Sequence, residues 1–475
     1  MKSKMFVWTL IAMLAISMLL AGCKSITTET TAAAETTAAA ETTTAAETTA
    51  AAETTAAAEK APALGTEGST YWIEKAGIKP SGEFTIYSYK DEGVTEWKIA
   101  QKYMEAYPDV KVNWITIPGD DYASKIAIEL ETNTAAFDSF WSYAAWTTQF
   151  SPYLEDVTNR IPKELKDDIL KGIVSATAFE NIWYGAPLFT SMYGLVYNKD
   201  ILKQAGYDKA PETWDELFKC AEATTIDKDK NGVPEVYGLG IGLVGTYGYM
   251  SLFDVTVKSV GGEFWNYDSK NPKPMFNNDK GVRALQILKK VYNSKFSDPA
   301  MAQGDETAMR RSIAAGKAAM GMHGIGVVEA VVKKDFPENV GKFDYALFPH
   351  DPGLESWSTP GSMGFAIRKG GNVDAALGYD LFYLSPEMQK FMTEDYGFPT
   401  SRASLASDEK YVADFPYVKA AIEQANHGGE RYVEKNQSII QDRFFPIFES
   451  YLKGSIDEKT ALSQMEKAFN DAWKE

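Results

Sequence analysis

Residues 82–118 read GEFTIYSYKDEGVTEWKIAQKYMEAYPDVKVNWITIP, and the hydrophobic period changes twice within them. GEFTIYSY (Gly82–Tyr89) alternates after Ser81-Gly82 and reads as a strand. EWKIAQKYMEAYP then sets Trp97, Ala100, Tyr103 and Met104 on one helical face, with Pro108 closing the helix. VKVNWITIP, beginning at Val110, returns to the strand pattern. Downstream, DDYASKIAIELET (Asp120–Thr132) is a helix with its acidic residues in the first turn, where the helix dipole favours them. FDSFWSYA (Phe137–Ala144) is a third strand. Strands alternating with helices imply parallel pairing and right-handed crossovers, so the fold class is α/β. Open α/β sheets bind ligands at the carboxyl ends of their strands, which makes Lys90–Gly93 and Trp141–Trp146 the expected walls of a site.

The chain has a different character upstream. Lys2 and Lys4 precede an apolar run from Met5 to Leu20 and the small residues Ala21 and Gly22, the layout of a secretory signal over 1–22. Leu20-Ala21-Gly22-Cys23 resembles the lipobox of bacterial lipoproteins, which implies lipidation of Cys23 and a new amino terminus there. One acyl chain binds a membrane only marginally, so stable anchoring takes more than one. From Thr27 to Ala58 the sequence is almost wholly Thr, Ala and Glu, and it holds nothing large enough to build a core. Glu29, Glu35, Glu41, Glu47, Glu53 and Glu59 recur at a step that would scatter charge around a helix and leave no apolar face. Residues 23–80 are therefore expected to be a lipid-anchored linker, a flexible leash whose roughly forty biased residues span about 35 Å on average. The expected location is the outer face of a cell membrane.

About 400 residues follow, enough for two domains or one large one. A net charge of −17 over 475 residues argues against nucleic acid as a partner, which calls for basic patches. The second of two cysteines, Cys220, lies in the helical pattern WDELFKCAEA as a small buried hydrophobe, so no disulfide framework follows. His323, His350 and His427 are too far apart for a sequence-local zinc motif. Aromatics make up 13% of the chain, enough to supply flat surfaces for stacking as well as a core.

A longer pattern carries a family resemblance. YGAPLFTSMYGLVYNKDILKQAGYDKAPETWDELFKCAEAT (Tyr184–Thr224) resembles a crossover segment of family 1 extracellular solute-binding proteins, the capture subunits of ABC-type sugar importers. Tyr197-Asn198-Lys199-Asp200 and Pro211-Glu212-Thr213-Trp214-Asp215-Glu216 are its most specific parts. AAGKAAMGMHGIG (Ala314–Gly326), WSTPGSMGFAIRKGGNVDAALGYDLFYLSPEMQKF (Trp357–Phe391), YGFPTSRASL and the closing ALSQMEKAFNDAW continue it. The resemblance implies a type II periplasmic-binding fold, two α/β lobes on a multi-crossing hinge that close over a sugar. Crossings are then expected near Phe189–Val196, Met320–Gly326 and Met363–Ile367. Lobe 1 would hold 81–190 and 324–361, and lobe 2 would hold 191–323 and 362–475.

A sugar ring has an apolar face that aromatic rings cover and an equator of hydroxyls that charged or amide groups bind. Trp141 matches a sugar-stacking tryptophan of the maltose-binding relatives, with Tyr143 and Trp146 beside it. Asp91 matches a hydroxyl acceptor of the same relatives. Ser191 and Tyr193 lie on the first expected crossing. Tyr247, Tyr249, Phe264 and Trp265 are candidates from the second lobe, with Trp357 and Ser362 before the third crossing and Arg402 after it. Tyrosine and tryptophan fill cores as readily as sites, so each also reads as packing. Where the maltose relatives place a second tryptophan, this chain has His323-Gly324-Ile325-Gly326, which points away from maltose and toward another glycan.

TIDKDKNGVPEVYG is a separate constellation. Asp227, Asp229, Asn231 and Gly232 repeat the first half of an EF-hand loop, with Val233 and Glu235 as further oxygen donors. A structural calcium is the expectation there, with an ordinary metal-free Asn-Gly turn as the alternative, and no cofactor is required. No Gly-x-Ser-x-Gly elbow, phosphate loop or His-Glu-x-x-His occurs, and no compact motif marks the paired carboxylates of a glycosidase, about 5 to 9 Å apart. The expected protein binds a mono- or oligosaccharide as a monomer, docks on ABC permease subunits and is not an enzyme. A capture subunit for a signalling receptor, or a surface glycan adhesin, shares the same layout.

Overall fold

The computed structural model describes residues 62–88, 94–240, 242, 246–266, 271, 273–299, 306–428 and 437–474. The strands are β1 (Gly82–Ser88), β2 (Val110–Thr116), β3 (Ser139–Ser142), the short hairpin β4 (Ala178–Phe179) and β5 (Ile182–Trp183), β6 (Gly185–Pro187), β7 (Tyr193–Asn198), β8 (Tyr237–Gly240), β9 (Ala318–Gly324), β10 (Phe343–Ala346) and β11 (Gly364–Ile367). One sheet has the order β2-β1-β3-β11-β6 and another β10-β7-β9-β8.

The stretch at 82–118 behaves as its periodicity implies. β1 and β2 pair in parallel from Gly82↔Val110 to Ser88↔Thr116, and the helix Thr95–Ala106 between them buries Ile99, Ala100 and Tyr103 against the sheet. β3 joins the other edge of β1 in parallel. The first core forms around Phe84, Ile86, Trp114, Phe140 and Trp141, and β11 brings Phe365 and Ile367 into it. A second core, around Leu195, Trp214, Phe253, Phe276 and Phe448, packs on the second sheet. A smaller cluster on that sheet gathers Val196, Val328, Phe343 and Val418.

The two most specific motifs are helix starts. The Asn198 side chain accepts from the backbone N–H of Asp200 at 3.0 Å and Ile201 at 3.2 Å. Thr213 and Glu216 form a reciprocal capping box on the helix Trp214–Thr224. Both motifs satisfy N–H groups that a helix end leaves orphaned.

The lobes divide differently from the sequence expectation. β10 hydrogen-bonds to β7, from Phe343↔Asn198 to Ala346↔Leu195, so 343–346 belongs to the second sheet and not to the first lobe. β11 sits between β3 and β6 of the first sheet, and the helices Val373–Tyr383 and Pro386–Tyr396 bury Leu377, Phe382 and Met388 in the first core. Of the elements after β11, the helices Gln437–Leu452 and Glu458–Trp473 are the ones that pack on the second core. Strand pairing overrides chain order here.

The crossings among the described residues are therefore 188–192, 347–363 and 397–408. Met320–Gly326 is not one of them. β9 ends at Gly324, and Gly326, at φ 95°, turns the chain into the helix Val327–Asp335 on the second sheet. A Cβ on Gly326 would lie 2.2 Å from the Gly397 carbonyl oxygen, and one on Gly397 would lie 2.3 Å from that of Gly326. Two helix ends meet backbone to backbone at the hinge, and only glycine fits both places.

Candidate functional site

The crossings lie side by side. The Leu188 N–H donates to the Met363 carbonyl at 2.9 Å, Thr190 N–H to Pro399 at 3.0 Å, Gly361 N–H to Ser191 at 2.7 Å and Ile325 N–H to Met192 at 2.9 Å. The buried Gln389 side chain knits two of them. Its Nε2 donates to the Leu188 carbonyl at 2.8 Å, and its Oε1 accepts from Thr400 Oγ1 at 2.8 Å and Ser401 N–H at 2.9 Å.

A cavity of about 360 Å³ opens beside this ribbon, lined by Leu170–Ile173, Thr190, Met192, Pro360, Ala425, Asn426 and Gly428. That volume falls within the range of small-molecule sites. A niche of about 10 Å³ shares Gly172, Ile173 and Pro360 with it and adds Tyr143, Ser175 and Ser362. Its walls come from the first lobe, two crossings and the helix Val418–Asn426. Bending at the crossings would therefore change its width. Among the described lining residues Lys171 alone carries a charge, and it is exposed.

The structure brings some of the sequence candidates to this place and sends others elsewhere. Tyr143 and Ser362 line the niche. The Trp146 ring lies 4.5 Å from that of Tyr143, and its indole nitrogen is buried without a hydrogen-bond partner. Ser191 sits partly buried on the first crossing. Tyr193 on β7 and His323 on β9 are buried with their rings 6.3 Å apart, and neither lines the cavity or niche. Trp357 is half-buried on the second core, with Lys258 Nζ 4.9 Å from its ring centroid. Tyr247 and Tyr249 fall in the helix Thr246–Ser259, with side chains outside the described ones; Asp91 and Cys23 lie outside the described residues.

Three candidates are core residues. Trp141 is 1% exposed, its N–H donates to Met363 Sδ at 2.7 Å, and Phe365 and Phe189 pack on it, so its ring offers a ligand no surface in this conformation. Trp265 is wedged among Phe264, Phe276 and Phe469. Arg402 is fully buried. It donates to Glu67 at 2.9 and 3.2 Å, to Asp168 at 2.7 Å and to the Leu384 carbonyl at 3.1 Å. That triad ties Glu67 to Asp168, two residues before the Leu170–Ile173 wall. It also corrects the linker expected to run to residue 80: the helix Tyr71–Lys75 buries Trp72 and Ile73 in the first core, so the segment before β1 is part of the first lobe. Arg402 supports the site from behind.

Thr190, Met192, Pro360 and Leu170–Ile173 were not legible as site residues. The first three fall inside the family pattern without distinguishing chemistry, and Lys171–Ala176 is a 3-10 turn with no helical or strand period.

The 227–235 loop is a hydrogen-bonded turn. Asp227 Oδ2 accepts from Gly232 N–H at 2.9 Å, Asp229 from Asn231 N–H at 3.1 Å, Asn231 from Val233 N–H at 2.7 Å and Glu235 from Lys228 N–H at 2.8 Å. Among the described residues no three His, Cys, Asp or Glu side chains gather to hold an ion. Asp227 Oδ1 is nevertheless buried without a partner, an orphaned oxygen in a donor set of the right chemistry.

Residues 87–390 match the family described as bacterial extracellular solute-binding protein. The chain belongs to that family. A relative in Sinorhizobium fredii, named a probable amino-acid ABC transporter periplasmic-binding protein, is 25% identical over 334 residues, covering 68% of this chain and 73% of its own. The arabinooligosaccharide-binding protein of Bacillus subtilis is 25% identical over 244 residues, 49% of this chain and 52% of its own. Maltose-bound MalE3 of T. maritima superimposes with a TM-score of 0.72 at 22% identity, covering 82% of this chain and 99% of that one. At that identity the likeness carries the fold: two lobes of the type II periplasmic-binding arrangement. The cavity at the crossings of this solute-binding protein thus lies where such lobes meet.

Proposed function

We propose that this solute-binding protein is a lipid-anchored capture subunit that closes on a sugar, most simply an oligosaccharide, and presents it to the permease of an ABC importer. The observation that carries the reading is the cavity on the crossings, whose walls come from the first lobe, two crossings and the helix Val418–Asn426, so that a hinge bend would change its width. An amino-acid ligand fits it less well. A zwitterion needs a counter-charge for its ammonium group, and none of the described lining residues is acidic. The names of the arabinooligosaccharide-binding and maltose-bound relatives support a glycan. The role in this reading is binding without turnover, in keeping with a family of solute-binding proteins.

The anchor rests on Cys23 behind its lipobox and on the Thr/Ala/Glu tract from Thr27 to Ala58 as the leash. No helix among the described residues is long and apolar enough to cross a membrane. A structural calcium belongs to the same proposal. Asp227, Asp229, Asn231, the Val233 carbonyl and Glu235 would hold it, and the ion would pin their loop.

Titration calorimetry with maltotriose, arabinotriose, D-mannitol, L-glutamate and L-leucine tests the ligand class. Saturable binding of a sugar or polyol is expected, and binding of an amino acid alone would overturn the reading. Cys23→Ala should shift the protein from the detergent phase to the aqueous phase with sugar binding intact. Unchanged partitioning would remove the anchor.

A further inference from the structure

Two hydroxyls at the hinge have no protein partner. Thr190 is 2% exposed and lines the cavity, and Ser362 is 7% exposed and lines the adjoining niche. The Oγ atoms of both are buried without a hydrogen bond. Leaving a buried hydroxyl unsatisfied is costly, so such groups in a cavity wall mark where something else completes them. They also stand on different crossings. Thr190 belongs to 188–192 and Ser362 to 347–363, and these two segments are tied by the Gly361-to-Ser191 bond at 2.7 Å and the Leu188-to-Met363 bond at 2.9 Å. The bonds flank the two side chains and fix their separation.

We propose that Thr190 and Ser362 together determine ligand specificity, reading the hydroxyl edge of an uncharged sugar ring at the inner end of the cleft. The proposal rests on the sugar reading and narrows it to neutral glycans. A serine or threonine hydroxyl both donates and accepts, which matches a sugar hydroxyl that does the same. A carboxylate offers only acceptors and an ammonium only donors, and each would carry an unpaired charge into this end of the site. The charged Lys171 is exposed, so the inner surface stays neutral among the described residues. The niche beside Ser362, about 10 Å³, is near the lower limit for one water molecule, so the ring itself must stay in the larger cavity. A ligand bonded to both crossings would also brace the hinge, and its recognition would be tied to closure.

The test is calorimetry of wild type, Thr190→Val, Ser362→Ala and Thr190→Ser with maltotriose, arabinotriose, tri-galacturonate and L-glutamate, together with melting without ligand. Thr190→Val and Ser362→Ala should each weaken the tighter neutral trisaccharide about tenfold. Melting without sugar should hold or rise, because each change removes an unsatisfied buried polar atom. Thr190→Ser keeps the hydroxyl and should bind as wild type does. A role in packing alone would instead lower the melting temperature and leave the affinity in place. Unchanged affinity in both hydroxyl-less variants overturns this subsite and leaves the sugar reading standing. Preference for tri-galacturonate overturns the neutral class, and binding of L-glutamate with neither trisaccharide overturns the sugar reading and the subsite together.

Discussion

Arg402→Met should lower the stability of this solute-binding protein and leave its ligand affinity almost untouched. The Arg402 and Glu67 side chains are both 0% exposed, and Asp168 is 4% exposed. Methionine fills a similar volume and carries no charge, so the substitution leaves two buried carboxylates without their cation. Removing one partner of a buried pair costs about 3–5 kcal/mol. With an unfolding entropy of about 2.1 cal/mol/K per residue over roughly 400 residues, the midpoint should fall by about 4–6 °C. Scanning calorimetry without sugar reads that shift, and titration calorimetry reads the affinity. Adding Glu67→Gln and Asp168→Asn should recover most of the loss, since a neutral trio leaves no charge buried. A fall below 1 °C would refute the buried triad. A tenfold loss of affinity with an unchanged midpoint would put Arg402 back in contact with ligand, as the sequence suggested.

Trp141→Ala makes the same distinction in the first core. Truncating a ring that is 1% exposed should cost about 3–5 kcal/mol of stability in the ligand-free protein, measured by urea unfolding, and a stable variant that binds no sugar would contradict that. Asp380 is buried, with Oδ2 accepting from the Ala186 N–H at 3.1 Å, and burial holds its pKa well above the usual carboxylate value. The folded state therefore keeps a proton that the unfolded chain releases near pH 4, so wild-type stability is full below that pH and falls as pH rises toward the folded pKa. Asp380→Asn should remove this slope and gain on wild type between pH 5 and 8, and parallel profiles would refute the assignment. Calcium bound to the 227–235 loop should raise the melting temperature and EDTA should reverse the rise. Indifference to both, or an equal response from Asp227→Ala, would leave an ordinary turn.

Local chemistry was legible at the level of residues. The helix face of Trp97, Ala100, Tyr103 and Met104 and the strands around it follow from side-chain period, a property of neighbours in sequence. Asn198 and Thr213 cap helices because their short side chains reach N–H groups two or three residues away. The lipobox resemblance and the Thr/Ala/Glu tract are equally local readings, the second because its composition has nothing to bury, and both lie outside the described residues.

Membership and role depended on distant partners, and only the tertiary structure decided them. A four-residue strand such as Phe343–Ala346 or Gly364–Ile367 is compatible with either sheet, and the edge it meets chooses between them. Trp141 has the residue type and place of a stacking platform, and Phe189, Met363 and Phe365 close over it after folding. Arg402 finds its counter-charge in Glu67, 335 residues earlier. Nothing in the sequence near Arg402 announces that partner, because an ion pair needs proximity in space and carries no period along the chain. Ser362 is a candidate from the family resemblance and Thr190 an ordinary hydroxyl in sequence; that both oxygens are buried without a protein partner in the walls of one site follows only once the crossings lie side by side.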